Sequence, residues 1–161
     1  MAKNFWLLKT DADSFSIDDL ERAPGRTTSW DGIRNAEARN FLRDRMKAGD
    51  QAFLYHSSTT PKAIVGIVEI ARGAYPDLTA FDRKDDHFDP RSERSQPTWF
   101  AVDVKLVRRL GRPVTLQELK LDRRFAKMAL LTRGRLSVTP VTPAEWKAVL
   151  QLAARPPSRT G

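Results

Sequence analysis

Three short segments of the sequence place an aromatic side chain beside amide, hydroxyl, acidic or cationic groups. Recognition of an unstacked nucleobase requires both components, because flat aromatic walls supply stacking and polar groups read the base edge. On this basis we predict a binding pocket that includes Trp6, Lys9, Trp30, Asp31, Asn35, Tyr55, His56 and Ser57. The alternative for Trp6 and Tyr55 is an ordinary place in the apolar core, and for Trp30 it is a loop anchor.

Residues that could perform acid–base or nucleophilic chemistry are few. The chain has no cysteine and only two histidines, His56 and His87. It contains no Gly-x-Ser-x-Gly elbow, no P-loop and no dinucleotide-binding fingerprint. We therefore predict a protein without catalytic residues and without a cofactor. A hydrolase or nuclease that uses His56 is the alternative.

One acidic stretch has the composition of a metal site. It comprises Asp82, Asp85, Asp86, His87 and Asp89. Carboxylate oxygens suit Mg²⁺ or Ca²⁺, but the spacing of a calcium-binding loop is absent and three cations interleave with the acids. A solvated acidic loop is the favoured interpretation, so we predict no metal site, with a metal-dependent nuclease at this loop as the alternative.

The net charge of +8 is concentrated in one part of the chain. Residues 105–135 hold ten of the 28 Lys and Arg residues but only two of the 20 Asp and Glu residues, so the remainder is neutral. A localised basic charge favours a surface that faces a polyanion, with a solvated basic face as the alternative. We predict contacts to a nucleic-acid backbone from Arg34, Arg108, Arg109, Arg123, Arg124, Lys127 and Arg135.

Length and composition limit the class of protein. A chain of 161 residues with 40% apolar residues fits one domain with a sizeable core. The lack of cysteine excludes disulfides and Cys-ligated metals, and it suits a reducing compartment, cytoplasmic or, in a eukaryote, nuclear. No apolar run approaches the ~18–20 residues of a membrane helix, so we expect no membrane partner. We also expect a monomer.

The residue patterns predict several strands and helices that position these groups. Apolar, β-branched and aromatic runs predict strands over residues 4–9, 51–56, 63–71, 100–107 and 136–141. Capping residues predict helices that begin after Ser16 and Thr142. The spacing of Ala38, Phe41, Leu42 and Met46 predicts a third helix from Asn35 to Lys47, which Gly49 ends. Gly25 and the residues after it predict a loop that leads into Trp30.

Strands separated by short helices, without regular β–α alternation, indicate the α+β class. A small, curved, barrel-like mixed sheet with helices at its periphery is the most economical arrangement. We expect one domain over residues 1–153. Two prolines and few apolar residues predict a disordered tail over residues 154–161.

Ordered motifs along most of the chain resemble the EVE domain family. The matching segments are residues 5–9 (FWLLK), 15–20 (FSIDDL), 29–42 (SWDGIRNAEARNFL), 46–50 (MKAGD), 55–57 (YHS), 64–69 (IVGIVE), 75–77 (YPD), 88–90 (FDP), 99–104 (WFAVDV), 133–138 (RGRLSV) and 140–146 (PVTPAEW). Two segments depart from the family pattern. Residues 9–12 read KTDA where the family has KSEP, and residues 87–90 read HFDP where it has YYDP.

The resemblance implies a PUA-like fold, a small mixed β pseudo-barrel with peripheral helices. The family is regarded as non-enzymatic and is linked to modified bases in DNA or RNA, and the related YTH and SRA groups hold a flipped base in an aromatic cage. By this resemblance the pocket would contain Trp30, Asp31, Asn35, Tyr55, His56 and Ser57, bordered by Lys9, Arg133 and Ser137. We expect a reader of a methylated or hydroxymethylated base, with an RNA-binding PUA-like module as the alternative and any partner nuclease unknown.

Overall fold

A computed structural model describes residues 3–155, which contain one six-stranded mixed sheet. The strands are β1 (Phe5–Thr10), β2 (Thr27–Trp30), β3 (Gln51–His56), β4 (Ala63–Pro76), β5 (Phe100–Thr115) and β6 (Val138–Val141). Their order across the sheet is β2-β5-β4-β3-β1-β6. The pair β1–β3 is parallel and the other neighbours are antiparallel.

Five short helices surround the sheet. They are α1 (Ile17–Arg22), α2 (Ala36–Asn40), α3 (Leu116–Leu121), α4 (Ala129–Thr132) and α5 (Pro143–Ala153). A π-helical turn, Phe41–Arg45, extends α2, and 3-10 turns cover Pro24–Arg26, Leu78–Phe81 and Arg123–Phe125. Capping boxes satisfy the first backbone N–H groups of α1, α3 and α5, where Ser16, Thr115 and Thr142 are the N-caps.

The two faces of the sheet cover two apolar cores, because side chains of a strand alternate between its faces. In β1, Trp6 and Leu8 enter the core beneath α1 and α2, whereas Leu7 enters the core beneath α5. In the second core the Trp146 ring of α5 stacks on Phe53 with ring centroids 3.8 Å apart. Both cores hold the central strands in place on either side.

The sheet curls so that its two edges approach one another. β2 is one edge strand, and the opposite edge is formed by β6 beside β1. In the described part of the chain no backbone ladder joins the two edges, yet residues of β1, of β2 and of the segment before β6 line one common cavity. The curl therefore confirms a barrel-like mixed sheet that stays open on one side.

All five predicted strands and the helices after Ser16 and Thr142 are confirmed, and β4 and β5 run further than predicted. The predicted loop before Trp30 is wrong, because residues 27–30 pair with β5 as the edge strand β2. The second helix ends at Arg45, since Met46 is already extended (ψ 130°), and Gly49 (φ +93°) instead serves the turn before β3. Helices α3 and α4 were not predicted.

At its C-terminal end the chain is described as far as Arg155. Residues 156–161 of the predicted disordered tail lie outside the described residues. Ala154 and Arg155 follow α5 as a turn and a bend. Within residues 3–155 no helix has the length and apolar character needed to cross a bilayer.

Candidate functional site

A cavity of about 750 Å³ occupies the opening between the two edges of the sheet, and we call it the principal cavity. Its size is within the range of small-molecule sites. The lining residues are Lys9, Thr10, Asp11, Ser14, Phe15, Thr28, Ser29, Trp30, Asp31, Gly32, Ile33, Arg34, Asn35, His87 and Ser137.

The apolar wall of the cavity is formed by Trp30 and Phe15. Trp30 ends β2 and is only 8% exposed, so most of its indole is part of the core. The Phe15 ring meets it edge to face, with centroids 6.4 Å apart, a geometry that aromatic pairs prefer. The two rings are therefore held in fixed orientations before any ligand arrives.

Asp31 supplies a hydrogen-bond acceptor in the cavity. The Ser29 hydroxyl donates to its Oδ2 at 3.0 Å. Burial raises the pKa of the Asp31 carboxyl, and the negative charge of Asp77 raises it further. A partly desolvated carboxylate pays less to exchange water for a ligand amine than an exposed one does.

Asn35 supplies a complementary donor. Its Oδ1 accepts the Ala38 N–H at 3.0 Å as the N-cap of α2, which fixes the orientation of the amide. Its Nδ2 makes no hydrogen bond to any residue in the 3–155 range, so both N–H groups are available to a ligand.

A buried carboxylate behind the cavity holds the loop from Asp31 to Asn35. The side chain of Asp77 is fully buried, and it accepts hydrogen bonds from Gly32 N (2.8 Å), Arg34 Nη1 (3.0 Å) and Thr79 N (2.9 Å). Burial opposes its ionisation, but hydrogen bonds from Thr79, Gly32 and Arg34 outweigh burial and keep the pKa of Asp77 below its ordinary value. Arg34 also donates to the His87 carbonyl at 2.7 Å.

Gly32 and His87 form a close contact on the same wall. Gly32 has φ +77°, and a Cβ built there would lie 2.8 Å from His87 Nε2. Only glycine fits this backbone conformation and this approach without strain. The His87 Nδ1 lies 3.0 Å from Asp85, so the imidazole is held against the loop.

Five of the ten predicted pocket residues line the principal cavity, and they are Lys9, Trp30, Asp31, Asn35 and Ser137. Trp6, His56, Tyr55, Ser57 and Arg133 lie outside this cavity. Trp6 is 1% exposed, and its Nε1 donates to the buried Asp50 at 3.1 Å. It is a core residue because its indole N–H finds a partner there.

His56 is also a structural residue. It is buried, and its Nε2 accepts the Ile17 N–H at the start of α1 at 3.1 Å. Burial lowers the pKa of its imidazole, which keeps the accepting neutral form. A nitrogen that already accepts a backbone hydrogen bond cannot serve as a general base.

Tyr55 and Ser57 line a separate, smaller cleft of about 240 Å³ next to the principal cavity. Lys9 lines both, and its Nζ donates to the Gly134 carbonyl at 2.7 Å. Arg133, the residue before Gly134, lines a third small cavity and pairs with Glu37 at 2.5 Å.

Three of the seven cations predicted to contact a nucleic-acid backbone are paired with carboxylates of the fold. Arg109 pairs with Asp18 and Glu21, Arg124 with Asp122, and Arg34 with Asp77, so their charges are partly neutralised within the fold. Arg108, Arg123, Lys127 and Arg135 are exposed and form no ion pair with any residue in the described part of the chain. The basic segment therefore offers less free charge than its composition indicates.

The acidic stretch forms turns. Oδ1 of Asp82, Asp85 and Asp89 each accepts the N–H two residues later, and Asp89 Oδ2 also accepts Trp99 Nε1 at 2.7 Å. Among residues 3–155 no three potential ligands are grouped closely enough to hold a metal ion.

Sequence reasoning missed several residues of the site. Phe15, Ser29 and Gly32 lie within the family motifs, so the resemblance could have pointed to them. Asp77 was missed as the residue that organises the loop, since nothing local connects it with Gly32, 45 residues earlier.

The curled mixed sheet and its lateral cavity define a PUA-like domain. The human THYN1 protein in complex with 5-methylcytosine-containing DNA superposes with a TM-score of 0.93 at 41% identity, over 96% of this chain and 100% of that one. The YTH domain of Zygosaccharomyces rouxii MRB1, in complex with N6-methyladenosine RNA, superposes with a TM-score of 0.55 at 17% identity over 99% and 89% of the two chains, a likeness of fold alone.

The sequence comparisons agree with the fold. Thymocyte nuclear protein 1 of Rattus norvegicus is 43% identical over 172 residues, which covers 96% of this chain and 76% of the relative. The EVE domain profile matches residues 4–152. The chain belongs to the EVE domain family.

Proposed function

We propose that this protein is a non-enzymatic nucleic-acid-binding protein that reads a modified base flipped into the principal cavity. The observation that carries the proposal is the convergence of an aromatic wall, Trp30, with an acceptor, Asp31, and a free donor, Asn35, in one cavity. The similar human THYN1 protein in complex with 5-methylcytosine-containing DNA supports DNA as the partner and 5-methylcytosine as the first base to test.

The polar groups of the cavity match an amino-bearing base. Cytosine has an N4 amine, which can donate a hydrogen bond to a carboxylate, as it does to Asp and Glu in duplex readout. Its N3 and O2 atoms are acceptors that the Asn35 amide can satisfy. Extrusion of the base costs a few kcal/mol, and stacking on an aromatic ring returns roughly 1–3 kcal/mol.

The histidines support a reader more than an enzyme. His56 lies outside the principal cavity and is occupied by Ile17 N–H, and His87 contacts Asp85. Neither is hydrogen-bonded to a serine or threonine hydroxyl in the part of the chain that the structure describes. The elements of a nucleophile–base pair are therefore not assembled there.

Three further properties of the protein stay predictions. They are one domain over residues 1–153, a monomeric state, and a cytoplasmic or, in a eukaryote, nuclear location. Each is independent of the base-reading proposal.

The test compares two duplexes that differ by one methyl group, one with a single 5-methylcytosine and one with cytosine. Wild type should prefer the modified duplex. Trp30→Ala should remove that preference, since loss of 1–3 kcal/mol of stacking corresponds to about a 5- to 150-fold weaker complex. Asn35→Asp keeps an oxygen to cap α2 but removes the donor, so it should reduce the preference without melting the helix.

Thermal unfolding of each variant separates a folding defect from a binding defect, and Trp30→Phe is the conservative control. If Trp30→Ala discriminates between the duplexes as wild type does, the pocket assignment is wrong. Titration of RNA with the same sequence and modification decides the second question, since tighter binding to RNA would transfer the proposal to RNA.

A further inference from the structure

The cleft next to the principal cavity has a composition unlike the other surfaces. Three lysines, Lys9, Lys62 and Lys120, line it together with Tyr55, Ser57 and Gly134. We call it the lysine cleft. Among residues 3–155, no Asp or Glu lines it. Positive charge is gathered here without a counter-charge, which costs energy unless an anion is bound.

Two of the three lysines of the cleft have side chains that the fold leaves free, whereas Lys9 donates to the Gly134 carbonyl. Lys62 and Lys120 are exposed, and neither forms an ion pair or a side-chain hydrogen bond with a residue between 3 and 155. This contrasts with Arg109, Arg112 and Arg124, which are paired to carboxylates. Burial lowers the pKa of Lys9, and the neighbouring charge of Lys62 lowers it further, as expected for cations that face one another.

A neutral donor completes the cleft. Tyr55 is 3% exposed as a whole residue, and its hydroxyl makes no hydrogen bond within the described residues. The hydroxyl belongs to a lining residue, so an oxygen atom bound there can accept from it. Ammonium groups and a phenol O–H are donors that suit the oxygens of a phosphate.

The lysine cleft is contiguous with the principal cavity. Lys9 lines both, and the loop of residues 133–137 contributes Gly134 to the lysine cleft and Ser137 to the principal cavity. Gly134 lines the lysine cleft and a third small cavity with Arg133 and Arg135, and Asn35 lines both that cavity and the principal cavity. A strand that delivers its base to the principal cavity and passes Lys9 places its backbone along this rim.

We infer that the lysine cleft binds a backbone phosphate of the same nucleic-acid strand that delivers its base to the principal cavity. This inference rests on the proposed function for the identity of the strand. It places backbone contacts on Lys62 and Lys120, which are not among the residues predicted to make them. Lys62 also lies outside the basic segment of residues 105–135. Phosphate contacts of this kind position the base and carry no sequence information.

The experiment measures the salt dependence of binding to the duplex pair with cytosine or 5-methylcytosine. The variant is Lys62→Ala/Lys120→Ala, and the matched control is Lys105→Ala/Lys147→Ala, which removes two equally exposed lysines that line neither cavity. Each phosphate contact contributes a slope of about −0.9 in log K against log salt. The cleft variant, which loses one phosphate contact, should lose about 0.9 of that slope and the control much less, while the preference for 5-methylcytosine is retained.

A second pair of variants guards against an indirect effect. Gly134→Ala is the reference for the next variant, because a Cβ at Gly134 meets nothing within 4 Å. Gly134→Asp places a carboxylate beside the cleft and should weaken both duplexes alike. In wild type, methylphosphonate substitution of the phosphate beside the modified base should weaken binding, and in the double lysine variant it should have no further effect.

The outcomes separate the two proposals. An equal slope in the cleft and control variants, or an unchanged methylphosphonate effect in the double lysine variant, overturns the phosphate site. A wild type that binds both duplexes equally well overturns the base-reading proposal, and the slopes still decide the lysine cleft.

Discussion

Removal of the Asp77 carboxylate should destabilise both the fold and the cavity. Asp77→Ala deprives Gly32 N, Thr79 N and the Arg34 guanidinium of their acceptor. Breaking a buried ion pair by deleting one partner costs about 3–5 kcal/mol. The Arg34 side chain is 23% exposed, so water can solvate part of the orphaned charge and the lower end of that range applies.

The corresponding loss is measurable by denaturant and by heat. A decrease of about 3 kcal/mol in the free energy of unfolding corresponds to a melting temperature lower by roughly 6–12 °C for a domain of this size. Asp86→Ala is the matched control, because Asp86 is an exposed carboxylate of the following loop that accepts no hydrogen bond from the described residues. It should change the free energy of unfolding by no more than about 0.5 kcal/mol.

A double-mutant cycle isolates the ion pair itself. Arg34→Met keeps the apolar stem of the side chain, and its combination with Asp77→Ala should show a coupling energy of about 1–3 kcal/mol. The preference for the modified duplex should fall with Asp77→Ala, since the loop that carries Asp31 and Asn35 loses its anchor. If Asp77→Ala lowers the free energy of unfolding by less than about 0.5 kcal/mol and the coupling energy is zero, the role assigned to Asp77 is refuted.

Three further perturbations have defined outcomes. Burial lowers the pKa of His56, so the stability that neutral His56 contributes is complete above the ordinary histidine pKa of about 6.5. That contribution is lost as the pH falls through the lower pKa of the folded state. His56→Gln should therefore show a smaller loss of unfolding free energy between pH 7.5 and 5.5 than wild type. Gly32→Ala should cost about 1–2 kcal/mol from φ alone, and an added His87→Ala should relieve the contact but not that strain, as denaturant titration of both would show. Thr139→Val removes a buried hydroxyl with no partner in the described chain, so the melting temperature should rise by an amount equivalent to about 1 kcal/mol.

The local elements could be predicted from the sequence because their causes are local. The capping boxes at Ser16 and Thr142 each join residues three positions apart, so the letters alone identify where α1 and α5 begin. Likewise, runs of β-branched and apolar residues located β3, β4 and β5. The family motifs extended this reach to the fold and to Trp30, Asp31 and Asn35.

The same local reasoning failed where a partner decides the conformation. Residues 27–30 form β2 because β5 offers its edge to them, with Ser29 opposite Asp103. Trp6 and His56 have the residue types of a binding site, but Asp50 and Ile17 satisfy their polar atoms inside the fold. An aromatic or imidazole side chain carries no mark in the sequence that distinguishes these two fates.

By itself the sequence determined five of the six strands, the starts of α1 and α5, the absence of thiol chemistry, the excess of basic charge and the membership of a family. The tertiary structure alone decided which polar groups meet. It brings β2 and the opposite sheet edge around one cavity, neutralises Arg109 and Arg124 in ion pairs, and leaves Lys62 and Lys120 without partners. The physical reason is that charge and hydrogen bonding act over a few ångströms in space, and the chain sets those distances only when the sheet has curled.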